Sequence, residues 1–314
     1  MMEGVTRHKM LRPRGRKMRV RWQETGTRML SKFKGICGIL LALSAAPALA
    51  QMAAGPGSAG IAAFVPRTHG PRIVAPGTRP PVYDPIRNVT VSYNTIWAGY
   101  AVTGTDFTYV QGSWIVKAVD CTKTPNTDSS EWVGIDGWSS STVEQLGTDA
   151  DCNGKTPFYW VWYEFYPLGS VIINDVSIAA GDKFSASVTY EGNNEYLVAL
   201  RNETAGQGFS KEVEFKGAFG SGVPLRNSAE WIEEMDGNEL SDFGVDSFGT
   251  IYTGISIGVD EATDSSIAGP ITDFGSAVQE SISTKNGSSK SKDTAVPSAL
   301  ASDGASFTVT WKSE

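Results

Sequence analysis

The chain has 314 residues, with 27 lysines and arginines, 34 aspartates and glutamates, and two histidines. Residues 1–50 hold 11 basic and 2 acidic residues, so the remaining 264 carry a net charge of −16, which disfavours nucleic acid and anionic membranes as partners. Both histidines, His8 and His69, precede the part that reads as folded, and this excludes Ser/His/Asp and Cys/His hydrolases and the usual histidine-containing zinc sites.

Residues 1–50 read as a targeting segment. The apolar run 35–43 follows Lys32 and Lys34 and ends at Ala48-Leu49-Ala50, an A-x-A cleavage pattern. Met29 would begin a signal peptide of conventional size. The run is shorter than the ~20 residues a spanning helix needs, so a secreted protein is expected rather than one anchored in a membrane. Cys37 leaves with this leader, and Cys121 and Cys152 remain as an even pair in an exported chain. They are expected to form a disulfide.

Residues 51–90 are rich in Gly, Ala and Pro, and Pro66, Pro71, Pro76, Pro80, Pro81 and Pro85 forbid long regular structure. Arg67, Arg72, Arg79 and Arg87 face only Asp84, a net charge of +3, whereas residues 91–314 carry −19. A basic extended segment before an acidic domain is either a pro-segment lying across it or a plain linker. Near pH 3–4, where carboxylates begin to protonate, much of the self-repulsion would vanish, which suits a protein that works in acid.

From residue 91 the pattern is β. Runs rich in Val, Ile, Thr, Tyr, Phe and Trp occupy 107–116, 132–135, 158–166, 183–190, 196–202, 251–257 and 306–311, separated by Gly, Asn, Asp and Ser. No helical stretch of ten or more residues is expected, and 281–304 reads as a long loop. Many short strands with frequent turns predict an all-β fold, an antiparallel sandwich or barrel.

Alternation sorts side chains into faces. In 158–166, Trp160, Trp162, Glu164 and Tyr166 share one face, and Tyr159, Val161, Tyr163 and Phe165 share the other. The second set reads as core, while indoles mixed with a carboxylate and a phenol suit a groove lining. Trp132, Gly134 and Asp136 share a face in the same style, as do Glu230, Ile232 and Glu234. With imidazole absent from residues 70–314, hydrolytic chemistry there must be run by carboxylates assisted by amides, hydroxyls or backbone N–H groups. Filling of a large core with acids at its rim remains an equally simple reading of the residues alone.

Six segments occur in a recognisable order: Trp97-Ala98-Gly99-Tyr100, residues 130–137 (SEWVGIDG), Gln145-Leu146-Gly147, residues 162–167 (WYEFYP), Ala229-Glu230-Trp231-Ile232 and Asp242-Phe243-Gly244, ahead of a closing strand at 307–311. Over residues 94–314 this resembles the glutamic peptidases, the eqolisins. The resemblance implies an all-β, antiparallel two-sheet β-sandwich of concanavalin-like jelly-roll architecture, with seven strands in each sheet, and a catalytic pair, Gln145 and Glu230. It implies groove residues Trp132, Asp136, Asp149, Trp162, Glu164 and Glu234, with Trp160 standing where the family usually has Asp. It implies peptide substrates and an endopeptidase in which ionised Glu230 takes a proton from a water that attacks the scissile carbonyl, while Gln145 stabilises the oxyanion. No metal or cofactor is required, and a monomer is the default. A carbohydrate-binding or glycoside-hydrolysing sandwich is the competing reading, in which the Gln-x-Gly motif has no role.

Overall fold

The structure is a computed structural model; it describes residues 66–220, 222–237, 239–249, 260–284 and 292–312. The leader and the expected strand at 251–257 lie outside them.

Among the described residues the secondary structure is strands and a single 3-10 turn, Ile271–Asp273. One layer is built from β1 (Val82–Asp84), β2 (Val89–Asn94), β3 (Trp97–Thr103), β5 (Ser130–Ile135), β6 (Val143–Asn153), β7 (Thr156–Tyr166), β8 (Val171–Ile172), β12 (Ser228–Glu234) and β16 (Val278–Thr284). Hydrogen-bonded neighbours run β1, β2, β16, β3, β12, β5, β6, β7, β8, and only the β2–β16 pair is parallel. The second layer runs from β11 (Gln207–Glu214) through β10 (Glu195–Asn202) and β9 (Lys183–Gly192) to β4 (Tyr109–Ile115). Next to β4 lie β13 (Val245–Phe248) and β14 (Glu261–Thr263), the latter forming a hairpin with β15 (Ala268–Pro270). β13 leads through β18 (Phe307–Trp311) and β17 (Lys292–Pro297) back to β16, so one edge is stitched between the layers. The expected loop at 281–304 is therefore partly strand: its Ser, Thr and Lys residues mask a β16–β17 pair that turns Ile282 and Ala295 inward.

The core between the layers holds Tyr100, Trp114, Val133, Leu146, Val161, Tyr163, Phe165, Tyr196 and Trp231, all buried. Polar ends of large side chains are paired across it: the Trp231 indole N–H donates to the Gln111 carbonyl (2.7 Å) and the Trp114 indole to the Thr148 hydroxyl (2.8 Å). Phe165 packs edge-on against Tyr196 and Phe215. The faces assigned to 158–166 are those observed, with Val161, Tyr163 and Phe165 in this core and Trp160 and Trp162 in a separate cluster with Trp97, Trp132, Val143 and Ile232 on the outer face of the first layer.

Pairing of β12 with β5 sets Glu233 directly opposite Glu131 on the core face. Like charges so placed repel. The fully buried Lys117 ammonium lies between them, 2.7 Å from Glu233 Oε2 and 3.0 Å from Glu131 Oε2. Asp246 completes the cluster; burial, then the Glu131 charge, pushes its carboxyl up to about 8. Cys121 and Cys152 are joined, tying the loop after β4 to the end of β6.

Replacing Lys117 with methionine is expected to cost about 3–5 kcal/mol at pH 7, because it strands buried carboxylates without a counterion. Urea unfolding of the purified protein measures this, and a loss under about 1 kcal/mol would show that the ammonium is not what neutralises them. Closing a loop of 31 residues is worth on the order of 3–4 kcal/mol in the chain-entropy model, so a Cys121→Ser/Cys152→Ser protein should lose a comparable amount in the same measurement.

Candidate active site

The first layer aligns side chains in rows across its strands. Glu230 of β12 pairs with Gly134 of β5, Gly134 with Gln145 of β6, and Gln145 with Glu164 of β7. Directly paired residues of antiparallel strands share a face, so Glu230, Gln145 and Glu164 all point outward from one line. The row beside it runs Ile232, Trp132, Gly147, Trp162, and the next runs Glu234, Ser130, Asp149, Trp160. Glu230 and Gln145 stand two strand spacings apart, about 9.5 Å at the backbone, with only a glycine between them. A Cβ at Gly134 would sit 3.0 Å from the Gln145 Cβ, so the glycine keeps this space open. Gly147 does the same for Trp132, whose Cβ would lie 2.6 Å from an added methyl.

Each expected residue has a definite place. The Trp132 indole donates to Glu234 Oε2 (2.8 Å) and meets Trp97 edge-on. The Trp162 indole donates to Asp149 Oδ1 (2.5 Å). Asp136, at a φ of 72°, accepts the backbone N–H groups of Leu225, Arg226 and Asn227. Its carboxylate is thus committed to the 225–227 turn at the groove's end. Trp160, the departure from the family pattern, donates to Asp151 Oδ2 (3.3 Å).

The chain's own residues 66–73 occupy the groove, and this corrects the placing of His69 outside the folded part. His69 is completely buried. Its carbonyl oxygen accepts from Gln145 Nε2 (2.6 Å), and its backbone N–H donates to Glu164 Oε2 (2.8 Å). The imidazole stacks on the Trp162 indole, 3.6 Å between centroids and 3° between planes. Nδ1 faces Glu164 Oε2 (3.1 Å) and Ser170 Oγ (3.1 Å); Nε2 faces Asp149 Oδ1 (3.2 Å) and Asp236 Oδ2 (3.5 Å). On either side, Arg67 pairs with Asp128 and Asp151, and Arg72 with Glu280. The Arg72 backbone N–H donates to the Gly137 carbonyl, and the Ile73 carbonyl accepts from Thr95.

Sequence reasoning missed Asp128, Asp151 and Asp236. Alternation from Gln145 through Asp149 reaches Asp151 on the same face and was available as a signal. Asp128 and Asp236 lie beyond the ends of β5 and β12, where alternation has nothing to say.

Electrostatically the groove is a set of crowded carboxyls. Burial pushes Glu230 well above the ordinary glutamate range, the Ser228 hydroxyl and the Trp138 backbone N–H oppose this, and the Asp136 charge adds to it. Burial also raises Glu234, Asp149 and Asp151, opposed by His69 for the first two and by Arg67 for the third. Asp128 is pushed up to about 7, first by burial and then by Asp236. Burial would lower the His69 imidazole, but Asp236 and Asp149 outweigh it and hold the ring protonated well above its usual range. His69, Asp149 and Asp236 offer atoms within 4.8 Å of one another, but a ring with both nitrogens protonated donates rather than ligates.

A model of the Peptidase A4 family matches residues 95–296. The chain belongs to this family, the eqolisins. It is 32% identical over 187 residues to scytalidopepsin B of Scytalidium lignicola, covering 58% of this chain and 68% of that one. It is 28% identical over 202 residues to aspergillopepsin-2 of Aspergillus niger, covering 54% and 69%. Scytalido-glutamic peptidase with a transition-state analogue inhibitor superposes with a TM-score of 0.55 at 23% identity, over 69% of this chain and 98% of that one. A second eqolisin structure, holding the tripeptide Ala-Ile-His, gives 0.53 at 22%, with the same coverage. The fold is theirs, and this eqolisin is a glutamic peptidase, a peptide hydrolase.

The raised carboxyls fix the sign of the pH dependence. A carboxyl whose folded pKa exceeds its unfolded value favours folding while protonated; that contribution is complete below about pH 4 and is lost as pH rises through the folded value. For Asp128 and Asp246 the upper limits are about 7 and about 8. The protein should therefore lose several kcal/mol of stability between pH 4 and pH 8. Urea titrations at the two pH values test this, and equal midpoints would refute it.

Proposed function

We propose that this eqolisin is a secreted, acid-acting endopeptidase in which Glu230 is the general base and acid and Gln145 stabilises the oxyanion. The observation that carries the reading is the 2.6 Å hydrogen bond from Gln145 Nε2 to the His69 carbonyl, made on the row that also bears Glu230. A peptide carbonyl in the groove thus lies on the amide donor, and Gly134 leaves space beside it for water. Glu230, which Ser228 and the Trp138 backbone approach, takes a proton from that water as it attacks. Gln145 N–H donates to the developing oxyanion, where one positioned donor supplies about 3–4 kcal/mol. Glu230 then protonates the departing amine, and no covalent intermediate forms.

The same contacts support an inhibitory role for the segment around His69. Its Arg67 and Arg72 answer the acidic domain's charge, and at neutral pH its close cover keeps Glu230 protonated and so unable to act as a base. When acid weakens the Arg–carboxylate attraction the segment loosens, water reaches Glu230 beside the covered carbonyl, and the Glu230 pKa falls towards its ordinary range. The leader with its A-x-A end supports secretion.

A glycosidase fits poorly. A retaining pair needs carboxyls about 5 Å apart and an inverting pair about 6.5–9.5 Å. Glu230 and Glu164 are three strand spacings apart, about 14 Å, and Glu230 and Glu234 are four residues apart on one strand, about 13 Å.

Glu230→Gln and Gln145→Ala should each abolish cleavage of denatured protein at pH 3–4, with an aspartic-protease inhibitor present and circular dichroism unchanged. A Glu230→Gln protein keeping a tenth of the wild-type kcat would sink the assignment. A chain beginning at Val82 should be active in acid without the lag that the Gln51 form shows; equal lags would mean that residues 51–81 only link.

A further inference from the structure

We infer that the groove selects a flat cation, an imidazolium, on the residue whose carbonyl meets Gln145, and that the first bond this enzyme cuts is its own His69–Gly70 bond. The inference rests on the glutamic-peptidase reading of Gln145 and Glu230.

The register comes from a single contact. Since Gln145 Nε2 bonds the His69 carbonyl, the peptide bond presented to the row of Glu230 and Gln145 is the one joining His69 to Gly70. The backbone on both sides is held: His69 N–H by Glu164, the Arg67 carbonyl by the Ser170 hydroxyl, Arg72 N–H by the Gly137 carbonyl. The segment therefore lies in the groove as an extended peptide pinned before and after one bond, as a substrate must be.

The selectivity comes from the His69 side chain. One face of the ring lies flat on the Trp162 indole, which favours a planar group. Both ring nitrogens face carboxylate oxygens, of Glu164 on one edge and of Asp149 and Asp236 on the other. A ring carrying two N–H donors satisfies both edges whenever the facing carboxyls are ionised, as Glu164 on one edge and Asp149 or Asp236 on the other require. A leucine would leave three carboxyls without their cation, and a phenylalanine would keep the stacking but supply no donor. A site built to bond such donors discriminates strongly against analogues that lack them.

The step balances without a co-reactant. Glu230 takes one proton from the water as the water oxygen bonds to the His69 carbonyl carbon; the bond to the Gly70 nitrogen then breaks and Glu230 passes that proton to the nitrogen. The products are a carboxyl terminus at His69 and an amino terminus at Gly70.

The test has two arms. The Gln51 form is moved from pH 7 to pH 3–4 and sampled for new termini by mass spectrometry, with Glu230→Gln as the uncut control; the earliest new N-terminus should be Gly70. The matured enzyme is then given the peptide Arg-Thr-His-Gly-Pro-Arg, with flanking residues, and versions with Leu or Phe in place of His. The histidine peptide should be favoured by at least about tenfold in kcat/KM, and Asp236→Asn should shrink that preference severalfold. An earliest cut at any other bond, or equal kcat/KM for the three peptides, overturns the inference while leaving the peptidase assignment standing. Failure of the wild-type protein to cut any substrate overturns both.

Discussion

The register of β12, β5, β6 and β7 is the constraint on which the rest of the molecule depends. Side chains in a strand alternate with period two, so slipping any of these strands by one residue would send its groove residues into the core. On β12 a slip would put Trp231 in the groove and Glu230 between the layers. The register is held from the core side, where Trp231 reaches across to the Gln111 carbonyl and Val133, Leu146 and Tyr163 continue its row. Packing that has no chemical role thereby sets where Glu230, Gly134 and Gln145 stand relative to one another.

The two faces of this layer answer the same electrostatic difficulty differently. Each brings carboxyls close together in a dry setting. On the core face the answer is permanent: the Lys117 ammonium is built into the interior between Glu131 and Glu233. On the groove face the cations are Arg67, His69 and Arg72, which belong to a segment outside the layer and meet the carboxyls only by lying across them. One charge set is a fixture of the core and the other is carried by a segment laid over the groove. A groove meant to receive peptides cannot contain its own lysine.

Alternation alone made much of this legible. It separated Trp160, Trp162 and Glu164 from Val161, Tyr163 and Phe165, and it put Glu230, Ile232 and Glu234 on one face. It carried no information about how strands align, so the row from Glu230 to Glu164 could not be read from residues; the resemblance to the eqolisins supplied Gln145 and Glu230 as a pair, and only the structure shows the glycine between them. Asp128 and Asp236 were invisible because they sit where strands end. Residues 281–304 read as loop because β16 and β17, stitching one layer to the other, have polar partners on much of their surface and carry few of the large apolar residues that announce a strand. His69 was misplaced for a related reason: a Pro-rich extended segment looks unfolded when its partners lie on strands 76 to 95 residues away.

The parallel β2–β16 pair and the short β1 fasten the chain only eight residues, 74–81, beyond Ile73. The groove-covering peptide is thus a tethered ligand, present at an effective concentration in the millimolar range however dilute the protein. Incoming peptides must compete with that local concentration, which dilution cannot lower. Severing the tether within the covered stretch turns the amino-terminal fragment, with Arg67, into an ordinary bimolecular ligand. Its hold then scales with how much of it is in solution, so dilution alone separates the two.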